Sequence, residues 1–145
     1  MCQYKAIDGL ISEWHFAHLN AFATGAPGLI MVEASGVVPE GRISVGCTGI
    51  WSDEQAKAFK SIINFAHSQN VKIGIQLAHA GRKGSTMRPW DDHQMAAANE
   101  GGWETISASP LAYSKMPVPR ALTIPEIHAL TRSFVDAALR SVAVG

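Results

Sequence analysis

Apolar residues recur at helical spacing in three stretches of the chain and run almost without interruption in two others. Ser12 can cap a helix in which Trp14, Ala17, Ala21 and Phe22 follow helical intervals, and Gly25 can end it. Ser52 and Gln55 make an S-x-x-Q capping box, in which each side chain satisfies a backbone N–H that the first turn leaves free. Ala56, Phe59, Ile63 and Ala66 then line one face of a helix that runs to Asn70. Thr123 and Glu126 form another capping box, with Pro125 tolerated in the first turn. Ile127, Leu130, Phe134 and Ala137 supply the buried stripe expected of that helix. The two continuous runs, residues 28–34 and 71–77, lack the apolar/polar alternation of a half-exposed antiparallel strand. Strands apolar on both faces are what a parallel sheet requires. The order helix, strand, helix, strand, loop, helix therefore predicts an α/β fold of repeated βα units.

Residues 81–120 break this pattern. They hold Gly101 and Gly102, four prolines (Pro89, Pro110, Pro117, Pro119) and no sustained periodicity, so a long loop is expected there. From Lys72 to Trp90 there are four basic residues and no acidic one. That bias fits a solvated loop, or a substrate-side loop with a weak preference for anions. Over the whole chain, Lys plus Arg and Asp plus Glu are 12 each, which gives no electrostatic footprint for nucleic acid or an anionic membrane. With 47% apolar and 17% charged residues, the 145-residue chain is an ordinary globular mixture, sized for one domain or part of one. The two cysteines, Cys2 and Cys47, are too far apart in sequence for a CxxC motif and too few for a disulfide framework. No basic-then-apolar leader opens the sequence and no apolar run reaches bilayer length, so a soluble cytoplasmic protein is expected.

Ligands of α/β sheets and barrels collect at the C-terminal strand ends. This directs attention to Met1–Tyr4, to Glu33-Ala34-Ser35 and to residues 76–83. The Gln76 amide can donate and accept at once, and inside an apolar strand it needs either a ligand edge or a neighbouring backbone as partner. Glu33 needs a counter-charge, which Arg82 or Lys83 at the adjacent strand end would supply as a structural pair. His15 and His18 make an H-x-x-H pair without the further ligands of a metal site, and metal binding is not expected. His79 suits ligand binding or loop ordering. Cys2 is either a tuned thiol or an inert one.

Taken together, the strand ends resemble a known family. Met1-Cys2-Gln3-Tyr4, the run from Gly28 to Ser35, Pro39-Glu40-Gly41-Arg42, the run from Gly49 to Glu54 and the run from Ile75 to Lys83 occur in the order and at the spacing of the old yellow enzymes, FMN-dependent ene-reductases. The Cys-x-Tyr opening and Gln-Leu-x-His-Ala-Gly-Arg are similar to that family's cysteine-containing branch. The resemblance implies a (β/α)₈ barrel that binds FMN at its C-terminal mouth. There NADPH or NADH reduces the flavin, which delivers hydride to the β-carbon of an enone-type small molecule. By the same resemblance Met1 and Cys2 lie along the flavin and Tyr4 faces the substrate. Ala34 makes room for the isoalloxazine ring and Gln76 bonds its pyrimidine edge. The cysteine's implied role is to tune the flavin potential.

A complete barrel of this type takes about 250 residues. Residues 1–145 are thus expected to be the N-terminal part of one FMN-binding TIM-barrel domain, about the first three βα units and truncated at both ends. The resemblance places the family's substrate-anchoring and proton-donating residues beyond position 145, so no catalytic residue is assignable in this stretch. The activity then belongs to the full-length protein, possible as a homo-oligomer. The alternative is a non-catalytic remnant, or a half-barrel that a partner chain completes. An isolated piece would carry unpaired strand edges and is expected to be poorly stable and to hold FMN weakly.

Overall fold

The computed structural model describes residues 1–92 and 94–145. Helix α1 spans Glu13–Thr24, strand β1 Leu29–Gly36, helices α2 and α3 Asp53–Ala58 and Lys60–Ser68, and strand β2 Lys72–Ala78. A short parallel pair follows, β3 (Ile106–Ser107) with β4 (Arg120–Ala121), and then helix α4 (Ile124–Val144). The continuous apolar runs are the two strands β1 and β2, and they pair in parallel as their composition demands.

The capping boxes form as their spacing predicts. Gln55 N–H donates to Ser52 Oγ at 3.2 Å, and Gln55 Oε1 accepts the Ser52 N–H at 3.2 Å. Thr123 N–H donates to Glu126 Oε2 at 2.7 Å, and Glu126 N–H returns a bond to Thr123 Oγ1 at 3.4 Å. The stretch from Ser52 to Asn70 is divided at Phe59, where ψ of −15° separates α2 from α3. Ala56, Phe59, Ile63 and Ala66 are nevertheless all buried on one side. Asn70 closes α3 in the left-handed region with φ +57°.

The core lies between the helices and one face of the sheet. Leu19 and Ala23 of α1, Ile30 and Val32 of β1, and Phe59, Ile62, Ile63 and Ala66 meet there, with Ala137 of α4. Burying each of the larger side chains contributes about 1.5–3 kcal/mol. Two stripes differ from the sequence expectation. In α1 the residues at apolar spacing, Trp14, Ala17, Ala21 and Phe22, are exposed, and the buried face is His15, Leu19, Asn20 and Ala23. A buried polar pair, described below, sets that face. In α4, Ala137 is buried and Leu130 and Phe134 pack against the core, but Ile127 stays exposed. Gly25 ends α1 with φ −82°, and the left-handed residue is Ala26.

The long connection is tied down at several points. Thr86 bonds Ile43 and Val45 through its backbone, and Ser85 Oγ accepts the Trp103 N–H at 2.9 Å. Arg42 lies between the rings of Trp51 and Trp103, with its guanidinium carbon 5.4 and 4.9 Å from their centroids. Among the described residues no helix is long and apolar enough to cross a membrane.

Trp51 also fixes the close approach of two glycines. A Cβ on Gly9, which sits at φ +77°, would fall 2.3 Å from the Trp51 ring, and one on Gly49 would fall 2.1 Å from it. Gly9→Ala in the intact protein should therefore lower unfolding free energy by about 1–3 kcal/mol, read as a lower denaturation midpoint with the slope unchanged. An unchanged midpoint would contradict this packing.

Candidate functional site

The site is organised by one extra residue in β1. Met31 pairs with Gly74 and Val32 with Ile75, but the next partners are Ala34 and Gln76, so Glu33 is a bulge. Paired residues of adjacent strands share a face. Met31, Gly74, Ala34 and Gln76 therefore lie on the face away from Ile30 and Val32, and the Met31 thioether covers the space over Gly74. Strict alternation would have placed Glu33 beside Gln76. The bulge substitutes a methyl group for a carboxylate at that point, in keeping with the use of bulges to re-aim side chains beside functional sites.

Gln76 is exposed, and its amide has no hydrogen-bond partner among the described residues. The backbone bond that could have satisfied it is not made. Next to it stands a small side chain, Ala34, at partial exposure. A flat ring whose edge alternates N–H and carbonyl groups fits this pair. The methyl leaves room for the ring plane, and the amide can both donate and accept along its edge.

The displaced Glu33 is buried and bonded away from the sheet face. His15 Nδ1 accepts the Ser12 N–H at 3.0 Å, so the proton of the neutral ring sits on Nε2, which donates to Glu33 Oε1 at 3.2 Å. The Gln3 backbone N–H donates to Glu33 Oε2. One carboxylate thus joins β1, α1 and the N-terminal segment. The counter-charges expected for it, Arg82 and Lys83, are elsewhere: Arg82 Nη1 donates to Leu111 O at 3.1 Å and Lys83 Nζ lies 4.1 Å from the Tyr113 ring centroid. The pairing follows packing of α1 on β1, which sequence separation alone does not reveal. His18 stacks edge-on against Phe22, and among the described residues no cluster of metal-ligating side chains occurs.

Held in this way, Cys2 reaches the sheet end. Its sulfur lies near the Ala34 backbone N–H and the Cys47 side chain. The Cys2 thiol is pushed well above its ordinary value, first by the Cys47 side chain and then by burial. Cys47, as acceptor and with Ser44 donors around it, is brought down to about 6. Tyr4 takes up φ +55°, its carbonyl accepts from Arg88 Nε at 3.1 Å, and its ring stands edge-on to Trp90 at 5.9 Å. Burial raises the Tyr4 hydroxyl above its usual value, which keeps it a proton-bearing donor at neutral pH. Cys2, Gln3, Tyr4, Lys5, Trp14 and Trp90 enclose an open cleft of about 480 Å³.

The structure therefore brings Cys2, Ala34 and Gln76 to one strand end, with Tyr4 on the adjoining cleft. Met1 stands apart. It is fully exposed, and its carbonyl accepts from Gln3 Nε2 at 2.8 Å. His79 orders the loop, as Nδ1 accepts the Gly81 N–H at 3.0 Å, and burial favours its neutral form. Cys47, Trp90 and Arg88 were not singled out by sequence reasoning. Nothing local marks them, because each meets the N-terminal segment from more than 40 residues away.

Parallel strands linked by helices, with ligand-competent side chains at their C-terminal ends, define the chain as part of an α/β barrel. Solved structures agree on the fold: morphinone reductase superposes with a TM-score of 0.82 at 22% identity, covering 100% of this chain and 40% of that one. An old yellow enzyme homologue from Zymomonas mobilis gives 0.78 at 27% identity, covering 100% and 40%. The profile of the NADH:flavin oxidoreductase / NADH oxidase family matches residues 1–145, and the chain belongs to that family. An NADH:flavin oxidoreductase of Gibberella zeae is 44% identical over 150 residues, covering 100% of this chain and 36% of the relative. An NADPH dehydrogenase of Halalkalibacterium halodurans is 36% identical over 147 residues, covering 100% and 39%. The chain thus spans about two fifths of the length of the relatives it matches.

Removing the imidazole would leave the Glu33 carboxylate buried with one partner fewer. His15→Ala in the intact protein should cost about 3–5 kcal/mol of stability and speed tryptic cleavage after Lys5. Unchanged cleavage at that site would mean that the pair does not hold the N-terminal segment.

Proposed function

We propose that the intact protein is an FMN-dependent NAD(P)H oxidoreductase that reduces the activated C=C bond of α,β-unsaturated carbonyl compounds. The observation that carries this reading is the pairing of Ala34 with an unpartnered Gln76 amide at the C-terminal strand ends. Family membership supports the flavin, and relatives bearing the name NADPH dehydrogenase support a nicotinamide reductant. Bound FMN would accept hydride from NADPH or NADH and pass it to the β-carbon of the substrate.

The chain's own residues have separate parts in this reading. Gln76 orients the ring by its edge, and Ala34 permits its approach. The Cys2 sulfur, near the Ala34 N–H, presents a polarisable and hydrogen-bonding neighbour that tunes the flavin potential. Met1, exposed in this chain, is assigned to the flavin by the family resemblance alone. Tyr4 offers its hydroxyl to a carbonyl substrate in the cleft that Trp90 walls. The substrate in this reading is a small molecule.

Gln76→Leu removes the edge contact while keeping size. It should weaken FMN binding by about tenfold, the cost of one or two hydrogen bonds, in a fluorescence-quenching titration of the intact apoprotein. Unchanged affinity would remove Gln76 from the site.

A further inference from the structure

The bulge that sets Ala34 against Gln76 leaves a backbone group to be satisfied. Glu33 has no partner residue in β2, so its carbonyl lies where the ladder skips a step. A buried carbonyl needs a donor. The Ser35 hydroxyl supplies it, donating to Glu33 O at 3.0 Å. The Ser35 oxygen is in turn 2.8 Å from Thr48 Oγ1. With the Ser35 proton committed to the carbonyl, Thr48 is the donor in that contact, and its oxygen also lies 3.4 Å from Ala34 O. Ser35 and Thr48 are both 0% exposed, so water does not compete for either hydroxyl.

Thr48 is held from outside the ladder. Gly36 N–H donates to Thr48 O and Ile50 N–H to Gly36 O, both at 2.9 Å, whereas the next amide, Val37 N–H, donates to Ala78 O at 3.1 Å. Residues 48–50 therefore run parallel to the end of β1, along its edge away from β2. Gly49 N–H donates to Gly9 O at 2.8 Å and ties the same segment to the N-terminal region. Ser35 stands opposite Leu77, on the other face of the strand from Ala34 and Gln76. The two hydroxyls thus act on a ring over Ala34 through the backbone of residues 33 and 34, without touching it.

We propose, on the flavin reading above, that Ser35 and Thr48 are positioning residues whose hydroxyl chain holds the Glu33 bulge and so keeps Ala34 beside Gln76. A regular ladder would pair Glu33 with Gln76 and has no skipped step for a hydroxyl to fill. The chain of donors favours the bulge over that alternative, and each hydrogen bond in it polarises the next. Glu33 is gripped twice. His15 holds its carboxylate at one end, and Ser35 backed by Thr48 holds its carbonyl at the other. Loss of the Ser35 hydroxyl strands a buried carbonyl and removes the advantage of the bulge.

The test compares Ser35→Ala, Thr48→Val and Thr48→Ser with the wild-type intact protein, at a temperature where denaturation curves show each fully folded. The readouts are FMN affinity by fluorescence quenching, the visible band of the bound flavin, and hydrogen exchange over residues 29–36 without flavin. Ser35→Ala should weaken FMN binding about tenfold, shift the band and speed exchange in that stretch. Thr48→Val should do the same to a smaller extent, and Thr48→Ser, which keeps the hydroxyl, should restore wild-type values. A purely structural role would lower the denaturation midpoint of Ser35→Ala but leave the affinity and band of the folded protein unchanged, and that result overturns the proposal. If Ser35→Ala does not fold, equal FMN affinity in Thr48→Val and Thr48→Ser overturns it. A wild-type protein that takes up no FMN would instead defeat the flavin reading. Exchange then decides the bulge alone: faster exchange over 29–36 in Ser35→Ala supports the hydroxyl chain, and equal exchange overturns it.

Discussion

Everything at the candidate site depends on one residue too many in β1. Bulges are rare in parallel pairs, and this one changes which side chain faces Gln76. A regular strand would set a carboxylate beside the Gln76 amide, where it would repel an electron-rich ring edge and need a counter-charge of its own. With Glu33 squeezed out of register, the methyl of Ala34 takes the position. The displaced carboxylate is then free to do other work. It turns to His15 and to the Gln3 backbone, and so fastens α1 and the N-terminal segment to the strand whose geometry released it.

The site is consequently a product of several segments, each held by a different kind of force. Apolar burial of Ile30, Val32, Phe59 and Ile62 sets the sheet against its helices. A buried, fully bonded polar pair sets the N-terminal segment, and the cost of misplacing it is high because an unpaired carboxylate in that position has no water to turn to. Aromatic packing closes the cleft, with Lys5 Nζ 4.9 Å from the Trp90 centroid and 5.5 Å from that of Trp14. The other face of the sheet is open. Met31 and Leu29 are 55% and 56% exposed. Such an apolar surface fits a chain spanning about two fifths of the relatives it matches, since in a closed barrel that face is interior.

Local features were legible in the sequence, and relationships between distant ones were not. The capping boxes at Ser52 and Thr123 and the apolar runs of β1 and β2 are written within a few residues, and the structure follows them. Ala34 and Gln76 could be chosen from family motifs and strand-end position. The bulge could not, because a single extra residue leaves no mark on an apolar run without alternation. For the same reason the partner of Glu33 was sought at the adjacent strand end, whereas packing supplied His15. The face of α1 was obscured by exposed aromatics, Trp14 and Phe22, which are bulkier than its buried apolar side chains, Leu19 and Ala23. Cys47 looked isolated because 45 positions separate it from Cys2, whereas in the fold Ala6 N–H donates to Gly46 O and joins the two segments.

The most direct measurement is the visible absorbance of Ala34→Leu in the intact protein, after FMN addition and gel filtration, with circular dichroism as the check on folding. The larger side chain fills the space beside Gln76 without touching the amide. A folded but colourless variant beside a yellow wild-type protein is the predicted result. A folded variant that keeps stoichiometric FMN would contradict the placement of the ring against the bulged strand.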